Sequence, residues 1–120
     1  MPCSIRFPRI TDPRGSLSFA ENLPFEIKRV YWVYLLSAEA ERGGHAHKTL
    51  ERIIVPISGS FTAYIDDVPY PLFQPWIGLY IAPMEWLDLR NFSGNAAFMT
   101  LASAEYDEGD YIRERELLTL

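Results

Sequence analysis

Arg42-Gly43-Gly44-His45-Ala46-His47-Lys48-Thr49-Leu50-Glu51 carries the most informative pattern in the chain. It holds both histidines of the chain, one residue apart. It runs into Arg52-Ile53-Ile54-Val55-Pro56-Ile57-Ser58-Gly59, a β-branched run that closes on a turn glycine. Side chains on a strand alternate between faces. One continuous strand therefore puts His45, His47, Thr49, Glu51, Ile53, Val55 and Ile57 on a single face. The aliphatic end of that face points into a core, and its polar end sits at the core's mouth. Small-molecule sites form in such mouths. Two imidazoles and a carboxylate are expected to converge there.

On either side of this stretch the chain reads as short strands between breakers. Ile5 to Ile10 is a short edge strand, since Pro8 discourages a central place. Thr11-Asp12-Pro13-Arg14-Gly15 is a turn. Leu17 to Ala20, Ile27 to Leu36, Ser60 to Ile65, Val68 to Leu72, Ile77 to Ile81, Glu85 to Leu89 and Ala96 to Ala102 follow as strands. The prolines of Val68-Pro69-Tyr70-Pro71-Leu72 put that strand at an edge. Tyr106 to Leu118, charged and proline-free, ends the chain as one short helix. Eight or more strands with Gly/Pro turns and almost no helical periodicity argue for an all-β barrel or jelly roll that encloses a pocket.

The 120 residues make one domain, 1–120. With 48% apolar and 14% aromatic residues, they suit a packed core and argue against disorder. A net charge of −5 offers no basic surface to nucleic acid, although a few local arginines could hold a small phosphorylated ligand. Cys3, the single cysteine, excludes an internal disulfide and fits a reducing compartment. No apolar run is long enough to span a membrane. The N-terminus lacks a basic region followed by an apolar one. The expectation is a cytoplasmic protein with no membrane partner.

Four stretches carry a resemblance. They are Asp12-Pro13-Arg14-Gly15-Ser16-Leu17, Pro24-Phe25-Glu26-Ile27-Lys28-Arg29-Val30-Tyr31, Arg42-Gly43-Gly44-His45-Ala46-His47-Lys48 and Glu105-Tyr106-Asp107-Glu108-Gly109-Asp110-Tyr111-Ile112-Arg113. Together, and in this order, they resemble the dTDP-4-keto-6-deoxyglucose 3,4-ketoisomerases, the WxcM-like sugar-nucleotide isomerases of the cupin superfamily. The resemblance implies a cupin-type double-stranded β-helix barrel, here with a short C-terminal helix. It implies conversion of a dTDP-4-keto-6-deoxyhexose to its 3-keto isomer, with no metal or organic cofactor. It implies a homodimer that exchanges N-terminal strands. His45 and His47 match the paired active-site histidines. Arg14 matches a substrate-proximal position, Arg42 sits beside the His pair, and Arg29 and Tyr31 fall in the strand that lines the pocket. Glu51 joins the substrate-binding candidates as a carboxylate at the barrel mouth that would orient a histidine.

The chain departs from the family at two places. Leu87 follows Trp86 where His or Arg is common, and a leucine neither moves protons nor donates a hydrogen bond. Gly44 precedes the His pair where a bulkier apolar residue is usual. The chemistry needs a group that titrates near neutrality, which suits imidazole. Histidines two apart on a strand lie about 6.5–7 Å apart at the backbone, within reach of adjacent atoms of one sugar ring. His47 is expected to carry the carbon-bound proton, and His45 to polarise the carbonyl or handle the hydroxyl proton. Two other readings stand beside this one. One is a non-catalytic nucleotide-sugar-binding cupin. The other is a metal-dependent cupin enzyme that uses His45, His47 and Glu51 as ligands. Trp86 reads as core, Tyr31 and Tyr34 have opposite parity so only one can face the pocket, and Glu105 to Asp110 reads as a solvated helix start.

Overall fold

The computed structural model describes residues 3–119. Met1, Pro2 and Leu120, the ends of the expected 1–120 domain, lie outside the described residues. Twelve strands follow one another: β1 (Cys3–Arg6), β2 (Arg9–Asp12), β3 (Gly15–Ser18), β4 (Arg29–Leu36), β5 (Arg42–His47), β6 (Arg52–Ser58), β7 (Phe61–Ile65), β8 (Val68–Leu72), β9 (Ile77–Ile81), β10 (Leu87–Arg90), β11 (Ala96–Ala102) and β12 (Tyr111–Ile112). Two five-stranded sheets, ordered β1-β9-β6-β11-β4 and β12-β5-β10-β7-β8, face each other as a jelly-roll barrel. Both are antiparallel throughout. The fold is the cupin-type barrel that the strand pattern and the resemblance imply. β8, with its two prolines, is an edge strand, as the missing N–H groups require. Among the described residues, no helix is long and apolar enough to cross a membrane.

The core between the sheets is apolar, and includes Leu36, Ile54, Phe61, Ile65, Leu79, Leu87, Leu89, Phe92 and Phe98. A second cluster lies on the outer face of the first sheet. There Ile53, Val55 and Leu101 pack with Phe7, supported by Ile5, Leu23, Phe25 and Met99. β6 is therefore covered on both faces, and Arg52 to Pro56 are all buried.

Here the structure corrects the reading of the opening stretch. His45 and Ile53 are not on one strand. β5 ends at His47 and β6 begins at Arg52, in the other sheet. The break at residues 48–51 is held from far along the chain, because Asp110 accepts from the backbone N–H groups of Thr49 and Leu50. The parity of β6 is then the opposite of the one expected. Arg52 and Ile54 face the barrel interior, whereas Ile53 and Val55 face outward.

Two further differences concern the ends of the chain. The expected strand Ile5 to Ile10 is two strands. β1 joins the sheet beside β9, while β2 leaves it to pair with β3 as a separate hairpin whose residues are all exposed. The expected C-terminal helix is two single 3₁₀ turns, Glu108–Asp110 and Arg115–Thr119, with β12 between them. β12 pairs with β5, Tyr111 opposite His47, and so brings the C-terminal segment to the histidines.

Candidate active site

Gly43 and Gly44 set the aim of the His pair. Both adopt positive φ, +85° and +73°. The pairing of β5 with β10 slips at this point, with His45 opposite Leu87 and Gly43 opposite Asp88. Such a bulge bends a strand and redirects the side chains that follow. A Cβ on Gly43 would meet the Leu87 carbonyl oxygen at 2.6 Å, so only glycine fits there. A Cβ on Gly44 would meet nothing closer than 3.9 Å, so that glycine serves the backbone conformation rather than close packing.

Residues directly opposite on antiparallel strands share a face. His45 pairs with the core residue Leu87, so His45 and His47 both point into the barrel. Their rings meet edge to face, with centroids 5.1 Å apart. The Tyr111 ring lies against both, at 5.0 Å from His45 and 4.3 Å from His47. Two small cavities flank the pair. One, of about 40 Å³, is lined by His47 with Arg29, Asp110 and Tyr111. The other, of about 50 Å³, is lined by His45 with Tyr31, Arg42, Arg52 and Leu87.

The two imidazoles are held differently. His47 is 3% exposed, and its Nδ1 lies 3.3 Å from Asp110 Oδ2. That contact is close but not well aligned as a hydrogen bond. Asp110 is itself fixed by the Thr49 hydroxyl at 2.8 Å and by the N–H groups of Thr49 and Leu50 at 3.0 and 3.1 Å. Burial opposes its charge, but these three donors outweigh burial and hold the carboxyl below the usual range. His45 instead bonds Arg52, with Nε2 3.2 Å from Nη1, and its ring also bonds the Gly43 backbone. Burial, and then the nearby Arg52 charge, lower the His45 pKa to about 4. Burial, Arg52 and His45 likewise push His47 well below an ordinary imidazole, against the pull of Asp110. Both rings are therefore uncharged at neutral pH.

Of the sequence candidates, the barrel brings together His45, His47, Arg29, Tyr31 and Arg42 around the two cavities. The Arg29 guanidinium lies over the rings of Tyr31 and Tyr106, 5.2 and 5.8 Å from their centroids. Tyr31 lines the interior, while Tyr34, of opposite parity, is exposed. Trp86 packs with Ala46 and Ile112 in a small cluster of its own. Two candidates are placed elsewhere. Glu51 turns to the outer face and accepts from the Tyr80 hydroxyl at 2.7 Å, because the break in the strand inverts its parity. Arg14 sits in the β2–β3 hairpin, paired with Asp12 at 2.7 Å and 91% exposed.

A metal centre built on His45, His47 and Glu51 does not fit these residues. Glu51 is on the wrong face, His45 Nε2 already accepts from Arg52, and Leu87 offers no ligand. Among the described residues no cluster of three metal-binding side chains occurs. Sequence reasoning missed three residues, Arg52, Asp110 and Tyr111. Arg52 had a signal, as the one charged residue at the head of a buried apolar run. Asp110 and Tyr111 lie in a stretch that carries the resemblance, but Asp110 reads there as part of a solvated helix start and Tyr111 as part of the expected helix.

A cupin-type barrel with inward imidazoles, one of them beside a carboxylate, defines a class: a jelly-roll protein with a polar pocket between its two sheets. The comparisons narrow it. A family model described as "FdtA: WxcM-like, C-terminal" matches residues 2–118. The TDP-4-oxo-6-deoxy-alpha-D-glucose-3,4-oxoisomerase of Aneurinibacillus thermoaerophilus is 44% identical over 117 residues, 92% of this chain and 84% of that protein. A 3,4-ketoisomerase from Helicobacter canadensis superposes with a TM-score of 0.93 at 38% identity, over 98% of this chain and 93% of the other. A mutant of the 3,4-ketoisomerase QdtA from Thermoanaerobacterium thermosaccharolyticum, solved in complex with TDP-4-keto-6-deoxyglucose, superposes with a TM-score of 0.89 at 34% identity, over 98% and 90%. The chain belongs to the FdtA/WxcM-like family of 3,4-ketoisomerases, and it is an isomerase.

Proposed function

We propose that this protein converts a dTDP-linked 4-keto-6-deoxyhexose into its 3-keto isomer, with His47 carrying the proton between carbons 3 and 4. The observation that carries the reading is the His47–Asp110 contact inside the barrel. A carboxylate on Nδ1 leaves Nε2 free to work and stabilises the imidazolium that forms when it takes a proton. The exchange is internal to the sugar. The C3–H bond breaks, an enediol forms, and a proton returns at C4. Carbon 3 is oxidised and carbon 4 is reduced, so no outside electron acceptor is needed. Arg29 and Arg42 are the cations available for the diphosphate, since guanidinium meets phosphate with paired donors. Tyr31 lines the sugar pocket.

Arg14 belongs to this reading only through a second copy of the chain. Its hairpin stands exposed while the His pair is enclosed by the barrel. The outer face of edge strand β4 exposes Val30, Trp32 and Tyr34, and a groove of about 500 Å³ runs over Val55, Ile57 and Met99. A homodimer that exchanges its N-terminal strands would cover this surface and bring Arg14 to a neighbouring site. The 3-keto product suits an aminotransferase, so the step fits the making of an amino-deoxysugar in the cytoplasm.

The test is to trap the equilibrium mixture. Purified protein is incubated with dTDP-4-keto-6-deoxyglucose and quenched with borodeuteride, and the deuterium is located by mass spectrometry and NMR. Label at carbon 3 is the expected result. Label confined to carbon 4 would show that no 3-ketone was formed.

A further inference from the structure

The barrel holds a second polar group that the mechanism above leaves unused. Arg52 heads β6 with a side chain that is 2% exposed. It lines the cavity beside His45 and Leu87. Its Nη1 lies 3.2 Å from His45 Nε2. A guanidinium only donates, so Nε2 must accept, and the lone pair of His45 is already committed. Nε and Nη2 of Arg52 are buried and have no hydrogen-bond partner among the described residues. Those two N–H groups share one edge of the planar guanidinium and point in parallel, the fork that meets two neighbouring oxygens. Donors shut off from water and left unmade are costly, and buried ones are rarely left so. Burial lowers the Arg52 pKa only to about 10, so the group stays charged at neutral pH.

An enediolate offers the matching pair of oxygens. When the C3–H bond breaks and His47 takes the proton, the electron pair forms the C3–C4 double bond. The carbonyl electrons then move onto O4. A proton passes from O3 to O4, and the negative charge passes the other way. His47 then returns its proton to C4 as O3 becomes the carbonyl. Atoms and charge balance without a co-reactant.

We propose that Arg52 is the oxyanion-binding residue of this isomerisation, its free Nε–H and Nη2–H holding O3 and O4 while the charge moves between them. His45 is its positioning residue, which anchors Nη1 and does not itself carry the proton. The proposal rests on the 3,4-isomerisation proposed above. It replaces the expectation that His45 polarises the carbonyl, and it supplies a cation to a pocket wall where Leu87 has none.

Kinetics of Arg52→Met and Arg52→Lys test it. Loss of a preorganised oxyanion donor typically lowers turnover by about 10²–10³-fold. Arg52→Met is expected to lose at least about 100-fold in kcat with KM changed less than about fivefold, and Arg52→Lys to recover part of the loss. An Arg52→Met protein within about threefold of wild-type kcat would overturn the role. For His45 the expected split is that His45→Gln, which keeps an acceptor for Nη1, retains far more turnover than His45→Leu. Equal losses in the two would overturn the positioning role. If Arg52→Met does not fold, the wild-type protein labelled with ¹⁵N-arginine serves instead, with the Arg52 side-chain signals assigned from Arg52→Lys. Those signals are expected to shift with dTDP-4-keto-6-deoxyglucose and not with dTDP alone. An identical response to both ligands would overturn the contact. A wild-type protein without turnover would overturn the reaction assignment itself, whereas wild-type turnover with an unimpaired Arg52→Met overturns only the role of Arg52.

Discussion

The inward placement of His45 and His47 was legible in the sequence, because strand alternation puts residues two apart on one face. Their difference was not. It depends on what each ring meets, Asp110 for one and Arg52 for the other, and both partners come from outside β5. A pH consequence follows from the shared environment. Burial first, and then the Arg52 charge, depress both imidazoles, His45 to about 4. In the proposed mechanism the neutral form is the active base, so kcat/KM is expected to stay level as pH falls from 8 to about 6 and to decline only nearer the depressed values. An acid limb centred near 6.5, the ordinary imidazole value, would contradict this electrostatic picture. Stability has the same sign. Below about pH 6.5 the unfolded chain takes up protons at both histidines that the folded chain refuses. Stability is therefore expected to fall as the pH drops through that window, by at most about 1.4 kcal/mol per pH unit for each histidine. Denaturant titrations at pH 7 and pH 5.5 would measure it.

Among the elements, most strands were legible and one boundary was not. Ile53-Ile54-Val55 has no polar residue to mark a solvent face, because the barrel core covers one side of β6 and the cluster around Phe7 covers the other. Alternation alone therefore does not choose between parities, and Ile53 and Val55, expected inward, face outward. The break at residues 48–51 contains no proline or glycine. Its cause is a carboxylate some 60 positions away, which local pattern cannot show. The C-terminal segment was missed for a related reason. Its 3₁₀ turns and β12 owe their shape to pairing with β5 rather than to their own periodicity. The glycine bulge that aims the histidines was visible as Gly43-Gly44, though its need for Gly43 is a packing fact. Gly43→Ala places a Cβ 2.6 Å from the Leu87 carbonyl on a backbone with φ of +85°. It is expected to cost at least about 2 kcal/mol and to lower activity further by turning the His pair. Thermal unfolding and turnover of the variant check this. An alanine variant with wild-type Tm and rate would mean that the bulge relaxes freely.

For the molecule as a whole, the jelly roll followed from many short strands with breakers between them, and the resemblance fixed its family. The hairpin β2–β3 did not follow, since an exposed ribbon has the same local pattern as an edge strand. In the proposed dimer with exchanged strands, Arg14 of one chain would complete the site of the other. Arg14→Ala and His47→Asn, each inactive alone, are then expected to regain up to about a quarter of wild-type activity when unfolded and refolded together. Half of the dimers are mixed, and one of the two sites in each is intact. No recovery, or a monomer by light scattering, would remove Arg14 from the site.

The measurement that bears most directly on the central claim is proton NMR of dTDP-4-keto-6-deoxyglucose with the purified protein in deuterium oxide and excess chelator. New anomeric signals and ring deuterium are expected in the wild-type reaction, with the couplings at carbon 4 giving the epimer. His47→Asn is expected to slow both by at least about 100-fold while the sugar nucleotide still binds. An unchanged wild-type spectrum, or a His47→Asn variant within tenfold of wild type, would contradict proton transfer by His47 as the core of this enzyme's chemistry.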